Sequence, residues 1–175
     1  MNSLETKRMR LLPWSAEDWV QLCPIAKDPE VVRYISSGEP WSDERIRGFV
    51  ERQVKGFADR GYCFWRLQHK ADDEIIGFCG LQPLEGTSEI EIGWWLARER
   101  WGQGLATEAA REALRDAFER IGLERVVSIA QPENLASTHI MEKLGMKFER
   151  ETTHRGIGVV LYATERRGKF LQRNE

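Results

Sequence analysis

The chain reads as an α+β protein, a three-layer α/β/α sandwich whose mixed, mostly antiparallel sheet has six to seven strands. Three observations predict this. Segments alternating in hydrophobicity with a period of two recur in both halves of the chain. Two of them, 62–68 and 74–81, flank the turn-forming Ala71-Asp72-Asp73 and read as a hairpin. One strongly amphipathic helix lies between strands and must cross from one to the next. With 175 residues and no linker, repeat or low-complexity tract, residues 1–175 form a single domain.

In chain order, 8–12 is a first strand, ended by Pro13. Ser15 caps the helix that follows, with Glu17 and Asp18 in the first turn where the helix dipole favours acids. Asp28-Pro29-Glu30 opens a short helix reaching Tyr34, the proline at its preferred first position. The polar stretch 36–41 is a loop. Ser42 then caps a helix that carries Ile46, Phe49, Val50 and Val54 at three- and four-residue spacing. After the hairpin, 88–96 is the next strand. The helix from Gln103 to Ile121 is the clearest element: Ala106, Ala109, Ala110, Ala113, Leu114, Ala117 and Phe118 form one apolar stripe, and Gly122 stops it. A strand at 126–130, a helix after Asn134 and strands at 148–154 and 159–164 complete the order.

Composition excludes several classes. No apolar run approaches the ~18 residues that a membrane span needs, and the polar Met1-Asn2-Ser3-Leu4-Glu5 is not a signal sequence, so a cytoplasmic protein with no membrane partner is expected. A net charge of −2 argues against direct nucleic-acid binding. Cys23, Cys63 and Cys79 are scattered, without the spacing of a disulfide frame or a metal site, so buried thiols and no metal are expected. Exposed residues among the seven tryptophans leave room for a homodimer.

The most informative stretch runs from the strand Glu91-Ile92-Gly93-Trp94-Trp95-Leu96 into Trp101-Gly102-Gln103-Gly104-Leu105-Ala106-Thr107. A glycine turn opening directly into a helix gathers unpaired N–H groups and the positive end of the dipole, which makes an anion site. A P-loop needs Lys-Ser or Lys-Thr after its last glycine, and Leu105-Ala106-Thr107 stands there instead. A dinucleotide fingerprint needs a third glycine where Thr107 stands. What remains is a pyrophosphate held by backbone amides without metal.

This run resembles the acetyl-CoA-binding motif of the GNAT N-acetyltransferases, whose order Gln/Arg-x-x-Gly-x-Gly/Ala maps onto 101–106, with Gly104 and Ala106 matching and Trp101 departing. A second segment, from Pro132-Glu133-Asn134 through Ser137 to Glu142-Lys143-Leu144-Gly145-Met146, looks like the family's Asn-x-x-Ser/Ala…Glu-Lys-Leu-Gly-Phe. Trp-Gly-x-Gly-x-Ala-Thr-Glu-Ala is closest to the RimJ/RimL branch of ribosomal-protein N-terminal acetyltransferases. The resemblance covers nearly the whole chain, and its specific part is 89–146.

The resemblance implies a sheet splayed between the fourth and fifth of these strands, with acetyl-CoA as co-substrate and an amine, on a protein N-terminus or a small molecule, as acceptor. Gly93 reads as a bulge that starts the splay. Trp94, Trp95 and Leu96 would bond the pantetheine arm as an added strand does, and Gly102, Gln103, Gly104, Leu105, Ala106 and Thr107 would meet the pyrophosphate. Asn134 caps its helix and lies at the mouth of the splay, with Ser137 one turn on. The family's usual acid, a tyrosine, is Met141 here, which leaves Ser137 to protonate the thiolate. Ile129 replaces one common glutamate, so Glu91, sharing a strand face with Glu89, is the candidate base. His69, His139 and His154 read as ordinary packing or surface residues. The loop at 37–41, the helix after Ser42 and Tyr162 are expected to build the acceptor side, where Glu39, Asp43 and Glu44 suggest a cationic acceptor. Two alternatives stay open: a domain that binds acyl-CoA without turnover, and a nucleotide-binding module.

Overall fold

A computed structural model describes residues 3–166. Its strands are β1 (Leu4–Glu5), β2 (Met9–Leu12), β3 (Phe64–His69), β4 (Ile75–Pro83), β5 (Ile90–Leu96), β6 (Arg125–Ala130), β7 (Lys147–His154) and β8 (Ile157–Glu165), and its helices α1 (Trp19–Ala26), α2 (Pro29–Val32), α3 (Asp43–Arg60), α4 (Leu105–Asp116) and α5 (Leu135–Lys143). One sheet contains all eight strands in the order β1-β2-β3-β4-β5-β6-β8-β7. The α+β class holds, with one strand more than expected. The extra strand is the short β1, whose Leu4 and Glu5 pair with Leu11 and Arg10 at the sheet edge, too brief to leave an alternation in the sequence.

Every pairing is antiparallel except β5 with β6, which is parallel and registers a single residue pair, Glu91 with Val127. The sheet therefore opens between β5 and β6, the fourth and fifth of the sequence-defined strands. Gly93 does not open it by a bulge. The β4–β5 register is unbroken from Gly77–Leu96 to Pro83–Ile90. Gly93 is there because a methyl group on it would lie 3.1 Å from Cζ of Phe64, whose ring fills that space.

The capping signals at Ser42 and Asn134 act where they stand in the sequence, whereas at Ser15 it is Asp18 Oδ2 that accepts from the backbone N of Ser15 at 2.7 Å. Ser42 Oγ accepts from Arg45 N at 3.2 Å, and Asn134 Oδ1 accepts from Ser137 N at 3.2 Å. Helix α4 starts at Leu105 rather than Gln103, because Gly102 and Gly104 adopt left-handed φ of 72° and 75° and keep the loop open up to that point. Its last turn, Ala117–Ile121, widens into π geometry before Gly122. The short α2 ends at Val32 instead of Tyr34.

Two layers of helix cover the sheet. The α4 stripe Leu105, Ala109, Ala110, Ala113 and Leu114 is buried against β4 and β5, and the alanines let the backbone lie close to the strands. On the opposite face Phe49 of α3 meets Phe78 and Phe64 at ring distances of 4.9 and 6.2 Å, and Trp95 packs on Phe78 and Trp41. Among the described residues no helix is long and apolar enough to cross a membrane.

Candidate active site

The opening between β5 and β6 is floored by Glu91 and continues as a cleft of about 260 Å³ between α3, β5, the start of α5 and the β7–β8 turn. Antiparallel alternation decides which backbone groups face it. Ala97 N donates to Ile76 O at 2.8 Å, and with an unbroken register this directs the N–H and C=O of Trp95, Gly93 and Glu91 toward β4 and those of Trp94, Leu96 and Ile92 toward the gap. Two of the gap-facing carbonyls are occupied. Ile92 O accepts from the buried Ser128 Oγ at 2.9 Å, and Leu96 O accepts from Trp101 Nε1 at 2.9 Å. Trp94 is left with both backbone groups directed into the opening. Of the three residues expected to bond a pantetheine arm, Trp95 thus contributes its indole to the cleft wall while its backbone lies in the β4 ladder.

Glu91 is the most perturbed acid of the cleft. Burial raises its carboxyl from 4.5 to about 7, partly opposed by Gln82 Nε2, which donates to Glu91 Oε1 at 2.6 Å, and by the charge of Arg155. Its strand neighbour Glu89 is bound instead to Arg125 Nε at 3.1 Å, and Arg125 also reaches Glu149 at 2.6 Å. Glu89 is thereby part of a brace at the closed end of the splay, and Glu91 alone of the pair lines the cleft.

Asn134, Ser137 and Met141 stand on one side of α5 at three- and four-residue spacing and all line the cleft, Met141 almost fully buried. Asn134 Oδ1 is engaged as the cap, leaving its amide NH₂ as a donor. No hydrogen bond ties Ser137 Oγ to another described side chain, so the hydroxyl is available to the cleft.

The glycine loop stands outside this cleft, one short turn (Arg98–Arg100) beyond the end of β5. Arg8 clamps it: Nη1 donates to Gln103 O at 2.8 Å, while Nε holds Glu108 Oε2 at 2.7 Å on the first turn of α4. The first intrahelical bond runs from Glu108 N to Gly104 O, so the amides of Leu105, Ala106 and Thr107 have no helical acceptor. These residues fit a pyrophosphate. The cradle supplies only N–H donors, and its two left-handed glycines carry no side chain to fill it. Among the described residues no cluster of three or more His, Cys, Asp or Glu is arranged to hold a metal ion.

On the expected acceptor side, Trp41 of the loop and Arg45, Phe49 and Arg52 of α3 line the cleft, but the acids and Tyr162 do not. Asp43 is paired with Lys27 at 2.6 Å, and neither Glu39, Asp43 nor Glu44 lines the cleft. Tyr162 also lies elsewhere. It alternates to the face opposite Ile157 and Val159 and packs on Phe148 at 5.8 Å. The cleft is lined instead by Arg45, Arg52, Arg155, His154 and Glu85. Arg45 sits over the Trp41 ring at 4.3 Å and donates to Ser36 Oγ at 3.2 Å. Ser36, at φ 51°, is also held through its carbonyl by Gln131 Nε2, which bonds Tyr34 O as well. His154 is kept below its usual pKa first by burial and then by Arg155, so it is largely uncharged at neutral pH. Trp41 Nε1 is the one buried side-chain polar atom without a partner among the described residues. The α3 spacing of Arg45, Phe49 and Arg52 on one helical face was the available signal for this basic wall; Arg155, Gln82 and Ser128 left none.

The sequence profile of the "Acetyltransferase (GNAT) domain" family matches residues 8–147. The chain is 30% identical over 155 residues to "Uncharacterized N-acetyltransferase p20" of Bacillus licheniformis, covering 85% of this chain and 84% of that protein. In structure it resembles an acetyltransferase from Agrobacterium tumefaciens, with a TM-score of 0.81, 24% identity and 94% of each chain covered. It shares its fold with the ribosomal L7/L12 α-N-protein acetyltransferase RimL in complex with coenzyme A, with a TM-score of 0.76 at 18% identity over 93% of this chain and 97% of that one. The chain thus belongs to the GNAT family and is an acetyl-CoA-dependent N-acetyltransferase.

Proposed function

We propose that this protein moves the acetyl group of acetyl-CoA directly to a primary amine, on a protein N-terminus or a small molecule, in the cleft between β5 and β6. The observation that carries this reading is the departure of β6 from β5 after one residue pair, with Glu91 at the apex and the Trp94 backbone facing the gap. The pantetheine arm takes the place of the missing strand partner along Trp94 and Leu96, Asn134 bonds it from α5, and the pyrophosphate rests on the amides of 102–107. RimL binds coenzyme A on the same fold.

The chemistry then divides among few groups. Glu91, ionised above about pH 7, takes the proton of the acceptor ammonium through a water. An amine of pKa about 8 needs little further activation. The amine nitrogen forms a bond to the thioester carbon, and the charge developing on the carbonyl oxygen meets the Trp94 N–H. As the C–S bond breaks, the nitrogen gives up its second proton to water, Ser137 Oγ gives its proton to the sulfur and regains one from solvent, and Glu91 returns its proton to solvent.

Acetyl-CoA thiol release over a panel of peptides and small amines tests the reading. We expect release with at least one amine class, a kcat lowered about tenfold in Ser137→Ala, and little change in melting temperature, as fits loss of one proton donor. No heat on titrating coenzyme A into the protein, or no release with any amine, would overturn it.

A further inference from the structure

The cleft walls are unbalanced in both charge and hydrogen-bonding sense. Of the charged residues that line them, Glu85 is paired with Arg155, whose Nε lies 2.7 Å from Oε2. Glu91 ionises only near pH 7, because burial raises its pKa, and the cation acting on it is Arg155 rather than Arg45 or Arg52. Among the described residues Arg45 has no carboxylate partner, only Ser36 Oγ and the Trp41 ring, and Arg52 makes no hydrogen bond or ion pair. Burial, then the like charges of Arg155 and Arg52, holds the Arg45 pKa below the ordinary arginine value. The buried Trp41 Nε1–H beside them also lacks an acceptor among the described residues. Elsewhere Arg8, Arg66, Arg100, Arg115, Arg120 and Arg125 each meet an acid at 3.3 Å or less, while Arg47 and Arg60, without an ion pair among the described residues, lie over the rings of Trp19 and Tyr62. The donors and positive charge gathered in the cleft call for an acceptor-bearing, anionic partner.

We infer that the amine acceptor carries an anionic group, a carboxylate or comparable oxyanion close to its primary amine, and that Arg45 and Arg52 of α3 receive this group while the amine faces Glu91. This rests on the acetyl-transfer reading above and reverses the cationic acceptor expected from Glu39, Asp43 and Glu44. An acidic residue near a peptide N-terminus and an amino acid with a free α-carboxylate share this chemistry.

The test uses matched acceptors in the thiol-release assay: peptides with Asp, Ala or Lys at the second position, and amino acids against their carboxamides. An acidic peptide as the source predicts preference among the peptides; a small amino acid predicts preference among the acids over their amides. We expect the anionic member of a pair to be favoured about tenfold in kcat/KM, mainly through KM, and less at high salt. Arg52 is exposed on α3, so Arg52→Gln should fold and bring the ratio toward one, and Arg52→Glu should favour the Lys peptide. Equal or better use of neutral and cationic acceptors, or an unchanged ratio in Arg52→Glu, overturns the inference. If no acceptor is acetylated, the transfer reading fails instead. Calorimetry of the Asp and Lys peptides against the wild type and Arg52→Glu still decides the charge preference, with tighter Asp-peptide binding that reverses in the variant supporting it and equal binding overturning it.

Discussion

A carboxyl group whose pKa is about 7 when folded, against an ordinary 4.5, binds more protons in the native than in the unfolded state between those values. The sign follows directly. Below 4.5 both states are protonated and burial of Glu91 costs nothing through ionisation; stability then falls as pH rises toward 7, and above that the full penalty persists. As the proposed base, Glu91 needs the opposite form, since only the ionised carboxylate removes a proton. Glu91→Gln keeps the hydrogen-bonding shape toward Gln82 but cannot ionise. We expect its melting temperature to exceed that of the wild type by an amount that grows from pH 4.5 to about 7 and then levels off, read by calorimetry across that range. The same variant should lose about 10²-fold in kcat, together with the rising limb of the kcat/KM profile near pH 7. A limb that survives the substitution would assign it to another group.

At the scale of elements, the β5–α4 connection depends on Gly104, where left-handed φ lets the chain turn from the Arg98–Arg100 turn into α4 with its first amides bare. Gly104→Ala should cost about 1 kcal/mol in stability through the αL penalty and raise KM for acetyl-CoA several-fold with kcat less affected; denaturant melts and initial rates separate the two effects. This loop was legible in the sequence because its chemistry is local: two glycines, no lysine after them, and a helix stripe immediately following. The caps at Ser42 and Asn134 and the stop at Gly122 were legible for the same reason. The pairs that shape the cleft are not local. Ser128 reaches Ile92 across 36 positions and Gln131 reaches Tyr34 across 97, so neither has a signature in its own neighbourhood. The placement of the acids and of Tyr162 outside the cleft has a similar origin. Glu39, Asp43 and Glu44 cluster in sequence, but α3 turns its arginines to the cleft, and a strand's two-residue period turns Tyr162 away from it. Gly93 misled because an isolated strand glycine suggests a bulge, whereas here a ring from β3 occupies the space of its missing side chain.

For the whole molecule, the splay divides the sheet into β1–β5 and β6–β8, joined at one end and open at the other. The joined end is secured by the Glu91–Val127 pair, by Ser128 on Ile92 O, and by Arg125 between Glu89 before β5 and Glu149 on β7. Toward the open end, Trp94 presents backbone groups that neither neighbouring strand pairs with. A ligand lying along β5 therefore supplies hydrogen bonds that the fold lacks, and it does so only in the native state. Binding must then stabilise by mass action, by about 2.7 kcal/mol at a hundredfold excess over Kd. The gain should be distributed unevenly. We expect coenzyme A to slow amide exchange at Trp94, Leu96 and 104–107, the groups without native acceptors, while Trp95, already in the β4 ladder, changes only with global stability. Hydrogen-exchange mass spectrometry with and without coenzyme A reads this pattern. Uniform slowing across β5 would mean that the ligand tightens the whole fold without pairing with the strand, and the splay would then have some other cause.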